Sequence, residues 1–295
     1  MKILALDIGG TRLKYAIYNE LLQEEVRGEI DSSASEGAEK LLSQAFTVCD
    51  NVNFDLLGIS TAGMVSGDGT IVYANENIPR YTGVKLKKIF EARYGVQTYV
   101  LNDIAAGAMA EAYSSAENEG SAVTSEEADN FYYLALGTGV GGIAVKNGMV
   151  ETGAHGISGQ IGYLPSADGC DSIDRTASSR GLESTGKNKG EKLFADAENG
   201  DIKAKAAIKK WSAEVMRVIA AIIGYCDPPR IVIGGGISRQ GETLLRYLKE
   251  QEEILPIPYR GKARLCTAKN SCGTLGAAVY ALKKFKKTDA DRRIK

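Results

Sequence analysis

The sequence predicts an α/β protein built from two duplicated lobes. A strand–turn–strand unit opens the chain, with strands over residues 3–6 and 13–18 on either side of a glycine turn. The same unit recurs near the middle, with strands over residues 132–136 and 143–146. The chain has 295 residues, which is long for one hydrophobic core and comfortable for two. We therefore expect two lobes that each begin with a glycine-bent hairpin.

Signals for strands and helices then alternate in both halves, as expected of α/β lobes. In the first half we predict strands over residues 56–60 and 98–101 and helices over residues 36–50, 84–94 and 103–113. In the second half we predict a buried strand over residues 231–233 and helices over residues 202–223, 241–250 and 274–285. The acidic stretch 116–130 predicts a linker or a surface loop.

The composition is that of a globular protein with little net charge. Hydrophobic residues make up 44% and charged residues 25% of the chain, and the net charge is −1. Nothing here predicts attraction to nucleic acid or to an anionic membrane. No apolar run approaches the roughly 20 residues that span a bilayer. The five cysteines form no C-x-x-C pair, which favours reduced thiols and therefore a cytoplasmic protein.

Two glycine motifs match known nucleotide fingerprints in their letters only. Residues 137–142 satisfy G-x-G-x-x-G, but that fingerprint leads from a strand into a helix, and here a second strand follows. Residues 181–187 resemble a P-loop, but Asn188 stands where Ser or Thr should bind Mg²⁺, and no buried strand precedes the motif. We therefore expect neither a Rossmann site nor a P-loop.

Glycine turns follow predicted strands at residues 9–10, 137–142 and 234–236. Any one of them could be no more than a tight turn. Without side chains, however, their backbone N–H groups can approach anionic oxygens closely. Asp7 stands two residues before Gly9, and a carboxylate beside bound phosphates is useful only through a cation. Together the turns and Asp7 predict a phosphate site that uses Mg²⁺.

Six motifs follow one another along nearly the whole chain. They are Asp7-Ile8-Gly9-Gly10-Thr11 with Lys14, Asn102-Asp103, and residues 137–142, 153–163, 231–236 and 273–278. In this combination they resemble the ROK family (repressors, open reading frames and kinases) of the actin-like ATPase and hexokinase superfamily. The resemblance implies two ribonuclease-H-like lobes around a central cleft. It implies a sugar and phosphate lobe over residues 1–118, with a helix over residues 274–295 packed back on it, and a nucleotide-binding lobe over residues 119–273.

The resemblance also implies an activity, the ATP- and Mg²⁺-dependent phosphorylation of the 6-hydroxyl of a hexose or hexose derivative, in a homodimer. Asp103 would be the catalytic base, a role compatible with the helix N-cap that this residue could equally be. The residues implied to line the sugar are Asn77, Asn102, Asp103, Gln160, Tyr163 and Glu183. Those implied to bind ATP are Asp7, Gly9, Gly10, Thr11, Lys14, Gly137, Thr138, Gly139, Gly235 and Gly236, with Asp7 holding Mg²⁺ through the phosphates.

The chain departs from the family in three places. Gln160 stands where the family has Glu, and Tyr163 stands where it has His. The segment 170–183 replaces a loop of several cysteines and contains only Cys170. Because the His and Cys ligands of zinc are missing together, we expect no zinc. His155, the one histidine of the chain, comes several positions too early to replace the missing ligand, and we predict that it is a loop residue.

Gln160 and Tyr163 also bear on the substrate. Gln160 can donate as well as accept hydrogen bonds, and Tyr163 offers an aromatic face for stacking. Without zinc on the following loop, space near sugar C1 could open. We therefore expect a hexose modified at C1 or C2, such as a β-glucoside or N-acetylmannosamine, to be used at least as readily as free glucose.

Two other functions are compatible with the same resemblance. A sugar-responsive repressor would carry a helix-turn-helix domain ahead of the first strand, which begins at Ile3, so we do not expect one. A sugar-binding protein without turnover is a further alternative, because Gln160 and Tyr163 are unusual. The presence of Asp7, Asp103 and the glycine turns favours the kinase.

Overall fold

The structure, a computed structural model, describes residues 1–117, 123–167, 169–186, 189–268 and 272–293. Its strands are β1 Ile3–Ile8, β2 Arg12–Tyr18, β3 Glu24–Asp31, β4 Leu56–Thr61, β5 Met64–Val65, β6 Ile71–Tyr73, β7 Gln97–Asn102, β8 Phe131–Leu136, β9 Val140–Lys146, β10 Met149–Val150, β11 Arg230–Gly234 and β12 Arg264–Thr267. Its α-helices are α1 Ala38–Asp50, α2 Leu86–Tyr94, α3 Asp103–Glu117, α4 Ser125–Asp129, α5 Ile173–Thr176, α6 Ser179–Gly186, α7 Gly190–Glu198, α8 Ile202–Cys226, α9 Gly241–Lys249 and α10 Gly273–Arg293.

The chain divides into two compact units. The first contains Met1–Glu117, Thr152–Ser158 and Asn270–Lys295, and the second contains Asn118–Glu151 and Gly159–Lys269. The predicted nucleotide lobe includes residues 152–158, whereas Thr152–Ser158 here belongs to the first unit. This segment belongs to the first unit because it packs at Gly156 against the backbone of Val65.

The first unit is built on a five-stranded sheet in the order β3-β2-β1-β4-β7. Strands β2 and β3 form an antiparallel ribbon with β1, whereas β1, β4 and β7 are parallel. All six residues of β4 are buried, as expected for a parallel strand covered on both faces. Consequently the carboxyl ends of three parallel strands lie side by side at one edge.

The second unit repeats this plan in the order β10-β9-β8-β11-β12. Again one flank is antiparallel (β8, β9 and β10) and the other parallel (β8, β11 and β12). The predicted duplication of α/β lobes is therefore confirmed. Helix α8 lies along this core and buries Trp211, whose indole N–H donates to the carbonyls of Ala177 and Ser178 at 3.0 Å each.

Among the elements that the sequence analysis did not predict, two have a clear physical reason. Strand β3 reads Glu-Glu-Val-Arg-Gly-Glu-Ile-Asp and is largely exposed, so it shows no apolar alternation. Helix α4 lies inside the stretch predicted as a linker, of which residues 118–122 are outside the described part. Thr124 and Glu127 cap this helix reciprocally, side chain to backbone N–H in both directions.

Helix α10 contacts both the sheet and helix α3 at backbone distance. A methyl group at Gly276 would overlap the carbonyl oxygen of Ala106 on α3, and one at Gly58 would overlap the carbonyl of Ala277 on α10. Alanines 277, 278 and 281 of α10 are completely buried. No helix in the described part of the chain is long and apolar enough to cross a membrane.

We predict that Gly276→Ala destabilises the protein, because the backbone of α3 cannot move aside without disturbing the sheet below it. Overpacking of this kind costs about 1–3 kcal/mol in the free energy of unfolding, measurable by urea denaturation. Gly67→Ala is the matched control, since a methyl group there meets nothing within 4 Å. Equal unfolding midpoints for the two variants would show that α10 is not held at backbone contact.

Candidate active site

The carboxyl edge of the first sheet gathers several of the predicted site residues. Asp7 is paired in register with Ser60 on β4, and Thr61 at the end of β4 is paired with Asn102 at the end of β7. Asp103 follows immediately as the first residue of α3. In parallel α/β sheets, the loops at this edge are where ligands bind.

Asp7 is held by its neighbours rather than left free. The Ser60 hydroxyl donates to its Oδ1 atom at 2.7 Å. Lys14 is its cross-strand partner on β2, and both residues line a recess of about 460 Å³. A side chain at Gly273 would overlap the Asp7 carboxyl group, so the first turn of α10 lies directly against it.

Asp103 has an unusual electrostatic environment. Its side chain is exposed to solvent, but the surrounding protein removes enough water from the carboxylate to raise its pKa to about 6. The N–H of Ile104, which donates to Asp103 Oδ1 at 2.9 Å, opposes this shift, and the negative charge of Asp7 adds to it. Desolvation and the charge of Asp7 thus outweigh the hydrogen bonds that stabilise the ionised form of Asp103.

Asn102 connects the start of α3 to the end of β4. Its Oδ1 accepts the Ile104 N–H at 2.9 Å, as an N-cap does, and its amide donates to the Gly63 carbonyl at 2.8 Å. Asn77 lies elsewhere, in an exposed turn where its N–H donates to Asn75 Oδ1 at 3.2 Å. The sugar-binding roles of both residues remain predictions.

The turn between β1 and β2 contains the predicted phosphate-binding residues Gly9, Gly10 and Thr11. The Gly9 N–H closes the turn by donating to the Arg12 carbonyl at 3.0 Å. Gly10 and Thr11 are exposed, and a methyl group at Gly10 would meet nothing within 4 Å. The tip of this hairpin is accessible to a ligand.

The second unit contains a pocket of about 430 Å³, within the range of small-molecule sites. Its backbone wall comes from the glycine turn after β8 and the glycines after β11, represented by Gly137, Thr138 and Gly236. Phe194 and Ile237 supply apolar surface, while polar side chains stand around them: Ser179, Glu183, Lys189, Glu191 and Gln240. Two of the three predicted glycine turns thus meet in one pocket. Gly139 and Gly235 belong to the same two turns.

The remaining predicted sugar residues also lie in the second unit. Gln160 and Tyr163 flank a short 3₁₀ turn over Ile161–Tyr163, which is fastened to β9 by the Gly142 N–H donating to the Gly159 carbonyl at 2.8 Å. Tyr163 is 64% exposed. Glu183 lies on α6 in the pocket just described, with the nucleotide residues, and its sugar contact remains a prediction. The predicted sugar set is therefore divided between the two units.

The residues present fit one implied metal and not the other. Mg²⁺ typically uses one or two carboxylates together with substrate phosphates and water, and Asp7 beside an open glycine turn suits that requirement. Zinc needs a complete set of His and Cys ligands. Tyr163 and the single exposed Cys170 do not supply it. Throughout the described ranges, no three His, Cys, Asp or Glu side chains form a metal-binding group.

Structure adds residues that sequence reasoning did not find. Ser60 is a polar side chain at the end of a buried strand, which is a readable signal. Asp174 and Arg180 contact the glycine turn after β8 from a segment without periodicity, and no sequence signal marks them. The G-x-G-x-x-G stretch leads into β9, so it is not a Rossmann fingerprint, and the P-loop look-alike lies mostly in α6, so it is not a P-loop. Lys187 and Asn188 lie outside the described residues.

Paired sheets of one topology, each with a glycine-bent hairpin, define the actin-like ATPase class of α/β fold. The sequence model of the ROK family matches residues 3–284, and the chain belongs to the ROK family. It is 27% identical over 300 residues to a β-glucoside kinase from Listeria monocytogenes, covering 96% of this chain and 98% of that protein. It is 24% identical over 300 residues to an N-acetylmannosamine kinase from Salmonella heidelberg, covering 95% and 98%.

A solved structure shares the fold. The ROK family glucokinase from Streptomyces griseus, in complex with glucose and AMPPNP, superposes with a TM-score of 0.75 at 21% identity. The match covers 96% of this chain and all of that one, 100%. The relatives named here are therefore sugar kinases of modest sequence identity that align over nearly their full length.

The raised pKa of Asp103 predicts a pH-dependent cost in stability. An acid whose pKa is raised on folding destabilises the folded state wherever it is ionised, and that cost disappears as the pH falls through the folded value toward the unfolded one. We therefore expect Asp103→Asn to melt above the wild type at pH 8, with the gap closing between about pH 6 and pH 4. Differential scanning fluorimetry across this range measures it.

Glu39→Gln is the matched control, because Glu39 is an exposed acid in the first turn of another helix, α1. A carboxylate there is favoured by the helix dipole, so its removal should bring no gain at pH 8. An Asp103→Asn protein that melts no higher than the wild type at pH 8 would contradict the desolvation of this carboxylate.

Proposed function

We propose that the protein is an ATP-dependent kinase that phosphorylates the 6-hydroxyl of a hexose or hexose derivative, with Asp103 as general base. The observation that carries the proposal is Asp103 itself. It is a carboxylate at the carboxyl edge of a parallel sheet, with a pKa raised to about 6 beside Asp7. The sugar-kinase names of full-length relatives support the reaction class.

The raised pKa suits a base that acts near neutral pH. A general base works best when its pKa lies close to the operating pH, because it is then both ionised and as basic as that condition allows. At pH 7.5 a carboxyl group of pKa about 6 is almost entirely ionised. Asp103 accepts the proton of the sugar hydroxyl as the hydroxyl oxygen attacks the terminal phosphorus of ATP. The bond from that phosphorus to the bridging oxygen breaks, and ADP leaves.

The pocket of the second unit suits the nucleotide. Its glycine turns offer backbone to the phosphates, and Phe194 and Ile237 offer apolar surface to a base. ATP is the proposed nucleotide because the Streptomyces griseus enzyme that shares this fold holds AMPPNP. Bound Mg²⁺ would neutralise charge on the phosphates, and Asp7, oriented by the Ser60 hydroxyl, is the residue that would hold it.

The sugar is proposed to be a hexose that carries a substituent at C1 or C2. Gln160 and Tyr163 follow one another around the short turn fastened to β9, and Tyr163 presents most of its side chain to solvent. An exposed aromatic face favours stacking on a sugar or on a group attached to it. The relatives that act on β-glucosides and N-acetylmannosamine by name agree with this class.

We predict that Asp103→Asn reduces kcat about 10²–10⁴-fold, as removal of a general base does, while sugar binding persists. Sugar-dependent release of ADP measures turnover, and isothermal titration calorimetry measures sugar binding. In the wild type, kcat/KM should fall tenfold per pH unit below an apparent pKa of about 6. The variant should lose that acidic limb, because the titrating base is gone.

The alternative function, sugar binding without turnover, makes the opposite prediction for the same assay. A wild-type protein that binds a sugar but releases no ADP with any of the hexoses below would establish it. If Asp103→Asn retained more than half of the wild-type kcat, Asp103 would be a helix cap only.

The substrate proposal is tested by kcat/KM over a panel of sugars. We expect N-acetylmannosamine or a β-glucoside such as cellobiose to equal or exceed glucose, with mannose, fructose and N-acetylglucosamine as comparisons. Gln160→Glu and Tyr163→His restore the family's residues and should shift preference toward free glucose. A hundredfold preference of the wild type for glucose over every modified sugar would refute this assignment.

A further inference from the structure

The glycine turn after β8 is fastened by all three of its carbonyl groups. The Gly137 carbonyl accepts the backbone N–H of Ser179 at 2.8 Å, and the Thr138 carbonyl accepts Arg180 Nε at 2.7 Å. The Gly139 carbonyl accepts the N–H of Gly137 across the turn at 2.9 Å. Two of these three bonds come from the start of α6, so that helix determines how the peptide planes of the turn are oriented.

Because each peptide unit is planar, the orientation of these carbonyl groups also fixes the orientation of the N–H groups that follow them. In a trans peptide the C=O of one residue and the N–H of the next point in opposite directions. Tying the carbonyls of Gly137 and Thr138 to residues 179 and 180 therefore turns the N–H groups of Thr138 and Gly139 away from α6. Within the described part of the chain, neither N–H donates to another residue. Two consecutive free N–H groups are a binding element for an anion.

Asp174 also fixes the glycine turn, through hydrogen bonds with the residue that follows it and with Arg180. Its Oδ1 accepts the N–H of Val140 at 2.7 Å, and its Oδ2 accepts Arg180 Nη2 at 2.9 Å. The same carboxylate lies so close that a methyl group at Gly139 would come within 2.5 Å of Oδ1. Arg180 thus bridges the Thr138 carbonyl and Asp174 with two nitrogens of one rigid guanidinium, an arrangement that lysine cannot reproduce.

We propose that Arg180 and Asp174 are positioning residues that set the Thr138 and Gly139 N–H groups for binding nucleotide phosphate. This inference rests on the proposed kinase function and concerns how its phosphate turn is oriented. The pair lies in the segment 170–183, where the resemblance implies a zinc loop and where the zinc ligands are missing. An ion pair on α5 and α6 fastens the segment to the turn instead.

The pair contributes orientation rather than global stability. The Arg180 side chain is 65% exposed and that of Asp174 is 33% exposed. Exposed ion pairs of this kind contribute only about 0–1 kcal/mol to folding. Loss of Arg180 should therefore leave the fold intact and free the Thr138–Gly139 peptide to rotate, which removes one or both aligned donors.

The test uses the full-length protein and Mg·ATP. We expect Arg180→Ala to raise the dissociation constant of Mg·ATP, measured by isothermal titration calorimetry, about tenfold, as loss of a hydrogen bond to a charged group does. KM for ATP should rise similarly, while KM for the sugar and the melting temperature stay near wild-type values. Arg180→Lys should be intermediate, since lysine keeps the charge but cannot bridge both acceptors.

The matched control is Arg175→Ala. Arg175 lies in the same segment and pairs with Asp171 at 3.7 Å. Within the described residues its side chain makes no hydrogen bond to the glycine turn, so its loss should leave Mg·ATP binding unchanged. A double-mutant cycle adds specificity. If the pair acts as one unit, the double variant Asp174→Asn, Arg180→Ala should bind Mg·ATP with a dissociation constant within about twofold of that of Arg180→Ala alone.

The possible failures are distinguishable. If Arg180→Ala and Arg180→Lys bind Mg·ATP within twofold of the wild type and of Arg175→Ala, the positioning role is wrong and the kinase proposal stands. If Arg180→Ala melts well below the Arg175→Ala control and raises both KM values, the pair is structural. If the wild type binds no Mg·ATP, the proposed function itself fails, and this inference fails with it.

Discussion

Backbone contact between α10 and the elements beneath it fixes the first unit. At Gly58 and Gly276 there is no side chain to hold the helix away, so α10 touches β4 and α3 directly. The same helix begins at Gly273, against the Asp7 carboxylate. Because α3 begins at Asp103, the packing of small residues on α10 joins the elements that carry the two carboxylates.

The two carboxylates have different neighbours. Asp7 accepts a hydrogen bond from the Ser60 hydroxyl and lies against the first turn of α10. For Asp103, desolvation and the negative charge of Asp7 raise the pKa by more than the hydrogen bond from the Ile104 N–H lowers it. One carboxylate is suited to face a cation, and the other is suited to accept a proton. A fold that brings several parallel strands to one edge provides both environments at that edge.

The second unit solves a comparable problem with different chemistry. Its glycine turn is held by hydrogen bonds. Two of the turn's carbonyls accept them from residues of α6, and Asp174 on α5 accepts the N–H of Val140. A turn of glycines is otherwise free to sample many conformations, and a free turn loses entropy when it binds. Fastening the carbonyls offsets that loss before any ligand arrives.

The sequence by itself determined the class of fold, the duplicated hairpins and the residues at the strand ends. These features depend on local patterns, namely buried apolar runs, glycine turns and a polar residue where a strand stops. Such patterns involve residues close together in the sequence and can be recognised without the structure. The family followed from the order of six short motifs. The exposed edge strand β3 escaped because most of its residues are charged, and α4 escaped because it is short and acidic.

Tertiary structure alone decided which of these residues act together. The raised pKa of Asp103 depends on protein packed around it and on Asp7, which precedes it by 96 positions in the chain. The hydrogen bond from Arg180 to the glycine turn reaches the Thr138 carbonyl across 42 positions of the chain. Glu183, expected among the sugar residues, lies in the pocket with Gly137 and Gly236. Desolvation and long-range hydrogen bonds are properties of packed neighbours, and no single stretch of sequence contains them.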